Sequence, residues 1–172
     1  MSNNSPHVTL ATAAIEAYVR ENRTIRVPSD TPAELLSTCA GAFVCLKQDG
    51  HLRGCIGTIE PMRDCLAEEI VANAISACSQ DPRFLPVEVS DLCTLNCSVD
   101  VLSPAEIVCG PEELDVKRYG VIVECGSRRG LLLPDLEGVD TVEEQIDIAR
   151  RKAFIKAGEP MTMYRFEVKR FD

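Results

Sequence analysis

One order of elements occurs twice along this sequence, and that repetition limits the fold more than any other feature. Residues 41–46 read as a strand, Gln48-Asp49-Gly50-His51 as a tight turn, and residues 52–56 as the returning strand. Pro61 stands where a first helical residue would, and Leu66, Ile70, Ala74, Ala77 and Cys78 follow at helical spacing. Pro82 disfavours helical geometry at Asp81, so this helix ends near Gln80. Cys93, Leu95, Cys97, Val99 and Val101 then alternate with polar residues, the pattern of a strand buried on one face. The same order returns in the second half. Residues 120–125 form a strand, Gly126-Ser127-Arg128-Arg129 a turn, and residues 130–133 the return strand. Asp140 and Glu143 open a helix as an acidic capping box, Val142, Ile146, Ala149, Ala153 and Ala157 make its stripe, and Gly158 with Pro160 ends it. Residues 163–171 alternate once more.

Hairpins closed by short turns imply antiparallel pairing. The expected class is therefore α+β and two-lobed, with duplicated strand-strand-helix-strand halves at about 41–102 and 120–171. An extra N-terminal helix is expected at about 9–22, capped by Thr9 and carrying Leu10, Ala13, Ala14, Ala17 and Tyr18 on one stripe. Neither half buries its sheet face and its helix alone, so the expectation is one domain over 1–172 with a cleft between its lobes. A chain of 172 residues buries roughly 70% of the surface its unfolded form exposes and needs no disulfide or metal staple.

The formal charge of −9 argues against a nucleic-acid partner, whose affinity would come from phosphate neutralisation. No apolar run approaches the ~18 residues of a membrane span, and residues 1–7 lack the features of a leader. Both point to the cytoplasm. The nine cysteines are odd in number and contain no C-x-x-C, and only His7 and His51 could join them, so no metal site is expected. No Walker loop, G-x-G-x-x-G, H-E-x-x-H or G-x-S-x-G occurs, and no cofactor is expected. Most cysteines should be reduced packing residues, Cys93 and Cys97 among them, while Glu68-Glu69 and Glu143-Glu144 should lie on solvated helix faces.

Three segments could carry chemistry. In residues 51–61, period-two alternation puts Arg53, Cys55 and Gly57 on one strand face. A guanidinium there would favour the thiolate of Cys55, and Gly57 would leave room for a ligand. His51 stands ~13 Å back along an extended strand, too far to pair with Cys55. The bland alternative makes Cys55 a packing residue, with Gly54 and Gly57 allowing close helix–sheet contact. Asp81-Pro82-Arg83-Phe84 could turn Asp81 and Arg83 to a cleft, or form a rigid helix-ending turn with an ion pair. Arg128 and Arg129 could hold a phosphate or carboxylate, or cap a solvated hairpin tip. The expected cluster is Arg53, Cys55, Glu60 and Arg83, with Gly54, Gly57, Thr58, Asp81, Arg128 and Arg129 as further ligand contacts.

Leu52-Arg53-Gly54-Cys55-Ile56-Gly57 resembles the hallmark hexapeptide of the AMMECR domain family. Gly41-Ala42-Phe43-Val44, Asp81-Pro82-Arg83-Phe84, Val101-Leu102-Ser103-Pro104, the 120–134 hairpin, Lys156-Ala157-Gly158 and Tyr164-Arg165-Phe166-Glu167-Val168 are similar to family segments in the same order, across nearly the whole chain. Asp135-Leu136 departs from the Gln-Val frequent in the family, and residues 151–155 are atypical. The resemblance implies an α+β fold of two subdomains and a prokaryotic association with a Memo-like protein and a radical SAM enzyme. It implies no reaction. Two classes follow: a cytosolic binding or substrate-presenting component of that system, or a small enzyme using Cys55 as a thiol with Arg53 and Arg83 on an anionic substrate. The binding component is favoured, because the strand supplies Cys55 with no base.

Overall fold

The computed structural model of the chain describes residues 5–172, so residues 1–4 of the polar N-terminal stretch lie outside the described residues. Helix α1 (Pro6–Glu21) starts before Thr9, because Ser5 caps it and Pro6 presets the first helical φ. The Ser5 hydroxyl accepts the Val8 N–H at 3.3 Å. This helix buries Val8, Leu10, Ala11, Ala14, Ile15 and Ala17, while Ala13, expected on the stripe, is exposed. Helix α2 (Ala33–Ser37) is a short turn that buries Leu35.

Strands β1 (Ala42–Gln48) and β2 (His51–Gly57) pair antiparallel. Asp49 and Gly50, at φ 51° and 80°, both sit in the left-handed region that a two-residue I′ turn requires. Helix α3 (Leu66–Ser79) and strand β3 (Leu95–Leu102) follow. Strand β4 (Glu106–Val108), strands β5 (Gly120–Cys125) and β6 (Arg128–Leu132), helix α4 (Val142–Lys152), and strands β7 (Thr162–Phe166) and β8 (Val168–Phe171) complete the order.

The chain forms two compact units, one running to Val101 and including Lys169–Asp172, the other Leu102–Val168. Strand order is β2-β1-β3-β8 in one sheet and β6-β5-β7-β4 in the other. Each sheet therefore runs from the hairpin's return strand through its first strand and the strand after the helix to a short edge strand. The duplicated reading is correct to this level, and the class is α+β with antiparallel pairing in both sheets.

In the first unit Ala42, Val44, Leu46 and Val99 pack with α1 and α3 residues including Ile15, Ile70 and Ala74. Full burial of a valine, leucine or isoleucine side chain is worth about 1.5–3 kcal/mol. The second core joins Val121, Val123 and Leu132 to Ala149, Ala153 and Ile155. One glycine recurs at the same place in both. A Cβ on Gly54 of β2 would lie 2.2 Å from the Ala77 carbonyl of α3, and a Cβ on Gly130 of β6 would lie 2.1 Å from the Ala149 carbonyl of α4. Both return strands lack a side chain at that point, so that a helix can press its backbone onto the sheet.

Several local expectations shift, each for a visible reason. Helix α3 begins at Leu66 instead of Pro61, because the Glu69 carboxylate takes the N–H groups of Met62 and Arg63 at 2.7 and 2.9 Å and holds them in a loop. Glu69, placed by the sequence on a solvated face, is thus buried. The capping box lies one residue later, at Thr141 and Glu144. The 163–171 strand breaks at Glu167, whose backbone exchanges hydrogen bonds of 2.9 Å with the amide and hydroxyl of Ser103. Cys93 is exposed in a turn before β3, and of the nine cysteines only Cys78 is fully buried.

Helix α4 ends at Lys152, short of Ala157. Phe154 takes φ 55° there, donates its N–H to the Arg151 carbonyl, and is followed by the Ile155 N–H on Arg150, both at 3.0 Å. This is a Schellman ending with phenylalanine at the site usually held by glycine. Phe154 is also 83% exposed, so its ring returns little packing. Phe154→Gly should therefore raise stability by about 0.5–1 kcal/mol, as read from urea unfolding.

Candidate functional site

The site is built on the edge strand β2. Cys55 lies directly opposite Cys45 on β1. The Thr58 N–H donates to the Ala42 carbonyl at 3.0 Å. Hydrogen-bonded pairs therefore fall at Ala42/Thr58 and every second pair after it, and Cys45/Cys55 is a non-hydrogen-bonded pair. The backbone of Cys55 points outward, away from β1.

Asp81 and Arg83, just past α3, occupy that open edge. The Cys55 N–H donates to Asp81 Oδ2 at 2.9 Å, and Arg83 Nη2 donates to the Cys55 carbonyl at 3.2 Å. Asp81 also takes Arg83 Nε at 2.9 Å, Nη2 at 2.7 Å and the Arg83 N–H at 3.1 Å. Its side chain is 2% exposed. The Arg83 guanidinium and these N–H donors hold the Asp81 carboxyl well below the usual carboxylate range, against the opposing effect of burial. The Asp-Pro-Arg-Phe turn is thus a clasp on the strand that carries the hexapeptide. Pro82 ends α3 at the point that aims both charges at β2.

Arg53 is the extra residue of a β-bulge, since Leu46 pairs with Gly54 and Lys47 with Leu52. The bulge re-aims its side chain. Its guanidinium donates to the Leu85 carbonyl at 2.6 Å, the Pro86 carbonyl at 3.0 Å and Asp91 Oδ2 at 3.1 Å. The cation acting on the Cys55 thiol is Arg83, not Arg53. Asp91 is itself fixed by the Glu88 N–H at 3.0 Å, the main cause of its lowered pKa. Loop 82–94 is therefore anchored to β2 through Arg53.

The other sequence candidates divide. Thr58 donates its hydroxyl to Glu69 Oε1 at 2.7 Å and accepts from Asn73 Nδ2 at 3.3 Å, so it belongs to the buried Glu69 network. Gly54 lies under α3, as above. The space beside Gly57 is filled by the Phe43 ring, which a Cβ there would meet at 2.3 Å. Glu60 lies exposed in the loop after β2. Arg128 and Arg129 belong to the other unit. Arg128 donates to Glu159 and the Phe154 carbonyl at 2.8 Å each, and Arg129 pairs with Glu124 at 3.5 Å.

Sequence reading missed two groups. Cys45 was missed because the Asp49-Gly50 turn alone would set it against Gly54, and the bulge at Arg53 shifts its partner to Cys55. The two thiols act on each other, which pushes Cys45 below and Cys55 above the ordinary thiol value. Asp100 and Arg170 form a fork–fork pair at 2.7 and 2.8 Å, with the Asp100 side chain 3% exposed. Asp100 opposes Phe43 on the face of β1 that carries Cys45. Charge complementarity across 70 residues leaves no trace in local pattern.

A family model described as AMMECR1 matches residues 8–171 of this chain. A protein of Thermotoga maritima is 52% identical over 99% of this chain and 99% of its own length. A protein of Clostridium acetobutylicum is 48% identical over 96% of this chain, which spans 35% of that longer relative. The crystal structure of an uncharacterized protein from Pyrococcus horikoshii superposes with a TM-score of 0.89 at 35% identity, covering 95% of this chain and 88% of that one.

Proposed function

The chain belongs to the AMMECR1 family, and on that premise we propose that it is a cytoplasmic binding component that presents the surface beside β2 to a Memo-like protein and a radical SAM enzyme. The observation that carries this reading is an apolar surface held rigid. Leu85 and Val89, in the loop that Arg53 anchors, are 83% and 50% exposed, and Leu52, the residue before Arg53, is 40% exposed. Exposed large apolar side chains on an immobilised loop suit a protein partner. No helix among the described residues is long and apolar enough to cross a membrane, and the nine free cysteines suit a reducing compartment.

Thiol catalysis at Cys55 has weaker support. Its thiol has a raised pKa, through the neighbouring Cys45 thiol and burial, Arg53 is occupied by three acceptors, and Arg83 is held by Asp81. Calorimetric titration with the Memo-like and radical SAM proteins of the same genome tests the binding reading. The parent should bind at least one of them. Leu85→Asp combined with Val89→Asp should weaken that binding by about tenfold or more, about 1.4 kcal/mol, with an unchanged melting temperature. Binding to neither protein, or equal binding by the double variant, overturns it.

A further inference from the structure

We propose that Cys45 and Cys55 form a dithiol site that exchanges with disulfides of the glutathione class and closes into a reversible cross-strand disulfide. Nothing in the binding reading requires this pair, and the inference stands apart from it.

Four observations carry it. Cys45 and Cys55 are exact partners in the β1–β2 register. They occupy a non-hydrogen-bonded position, fixed by the Thr58–Ala42 bond and by the outward Cys55 N–H on Asp81. In such pairs Cα atoms stand ~4.5 Å apart with side chains close, inside the ~4.4–6.8 Å that a disulfide spans. The two thiols are each other's strongest electrostatic neighbours, and both side chains are only half-buried. Finally, the β1–β2 ladder holds the two residues opposite each other and the clasp fixes the outer edge of β2, so the backbone is already placed for closure. Lys47 and Arg170 favour charge on Cys45, Arg83 favours it on Cys55, and Asp100 opposes it on both.

The exchange balances as follows. The Cys45 thiolate attacks one sulfur of the small disulfide, whose S–S bond breaks, and the departing thiolate takes up the proton that Cys45 released. Cys55 then gives up its proton and attacks Cys45 Sγ in the mixed disulfide, expelling the second thiolate, which is protonated in turn. Two protein thiols are oxidised, and one small disulfide is reduced to two small thiols.

The test uses the whole chain in buffers of increasing oxidised-to-reduced glutathione ratio. The samples are quenched by alkylation, unfolded and digested with trypsin, which cuts after Lys47 and Arg53 and so separates the two cysteines. The expected result is a linked pair of peptides holding Cys45 and Cys55, with loss of alkylation at both while exposed Cys39, Cys93 and Cys109 still alkylate. Addition of dithiothreitol should restore both thiols. Cys55→Ser should instead trap a single glutathione on Cys45. The proposal is overturned if Cys45 and Cys55 stay alkylatable after the exposed thiols have reacted, if the linked peptides join other cysteines, or if Cys45 of Cys55→Ser gains glutathione no faster than the exposed thiols. The parent digest decides even if the variant folds poorly.

Discussion

Asp81→Ala is expected to destabilise the chain by about 2–4 kcal/mol. The buried carboxylate takes the Cys55 N–H, the Arg83 N–H and the Arg83 guanidinium. Its removal leaves an edge-strand amide without an acceptor and a guanidinium without its counter-charge, and each loss is worth about 1–3 kcal/mol. The same group dictates the acid response. The folded-state pKa of Asp81 is depressed below the ordinary aspartate value of 3.8. The stability it contributes is therefore complete above that value and disappears as pH falls from about 4 towards the depressed folded pKa. Urea unfolding of parent and Asp81→Ala between pH 7 and pH 3 should show curves that converge towards the acid end. Parallel curves would mean that Asp81 is not the carboxylate being titrated.

Gly54→Ala should be worse than its one added methyl suggests, at about 3 kcal/mol or more. The new Cβ would stand 2.2 Å from the Ala77 carbonyl oxygen, a backbone atom in the middle of the helix–sheet contact. No rotamer relieves that overlap, so α3 must lift off β2. Because Asp81 and Arg83 follow α3 directly, the clasp should shift with it. Gly130→Ala makes the same overlap with Ala149 in the second unit and should have a comparable effect there. Chemical denaturation of the two variants checks both. A near-neutral Gly54→Ala would mean that the helix is not seated on the sheet as described.

The repeated order of hairpin, helix and strand was legible because each element has its own period and punctuation. Asp49-Gly50 marks a turn, Pro82 marks a helix end, and the stripe from Leu66 to Cys78 marks a buried face. Boundaries were lost where a side chain acts on backbone at a distance. Glu69 reaches back to Met62 and Arg63, and Ser103 splits the last strand at Glu167. The site was half legible. The hexapeptide and Asp-Pro-Arg-Phe stood out, but their partnership did not, because it joins Cys55 to Asp81 across 26 residues. The Arg53–Cys55 face argument assumed an unbroken two-residue period, and the bulge at Arg53 removes that assumption. The open space inferred from Gly57 ignored Phe43, which fills it from the neighbouring strand.

The clasp is what makes β2 and the loop after α3 one rigid surface, and the Cys55 amide reports on it directly. That amide faces away from β1, so its protection depends on the Asp81 carboxylate alone. Amide hydrogen exchange followed residue by residue should find Cys55 slow in the parent. In Asp81→Ala it should be faster by about tenfold or more, with the Val44 and Ile56 amides still protected. A Cys55 amide that exchanges in the parent at the rate of an unstructured peptide would contradict the clasp.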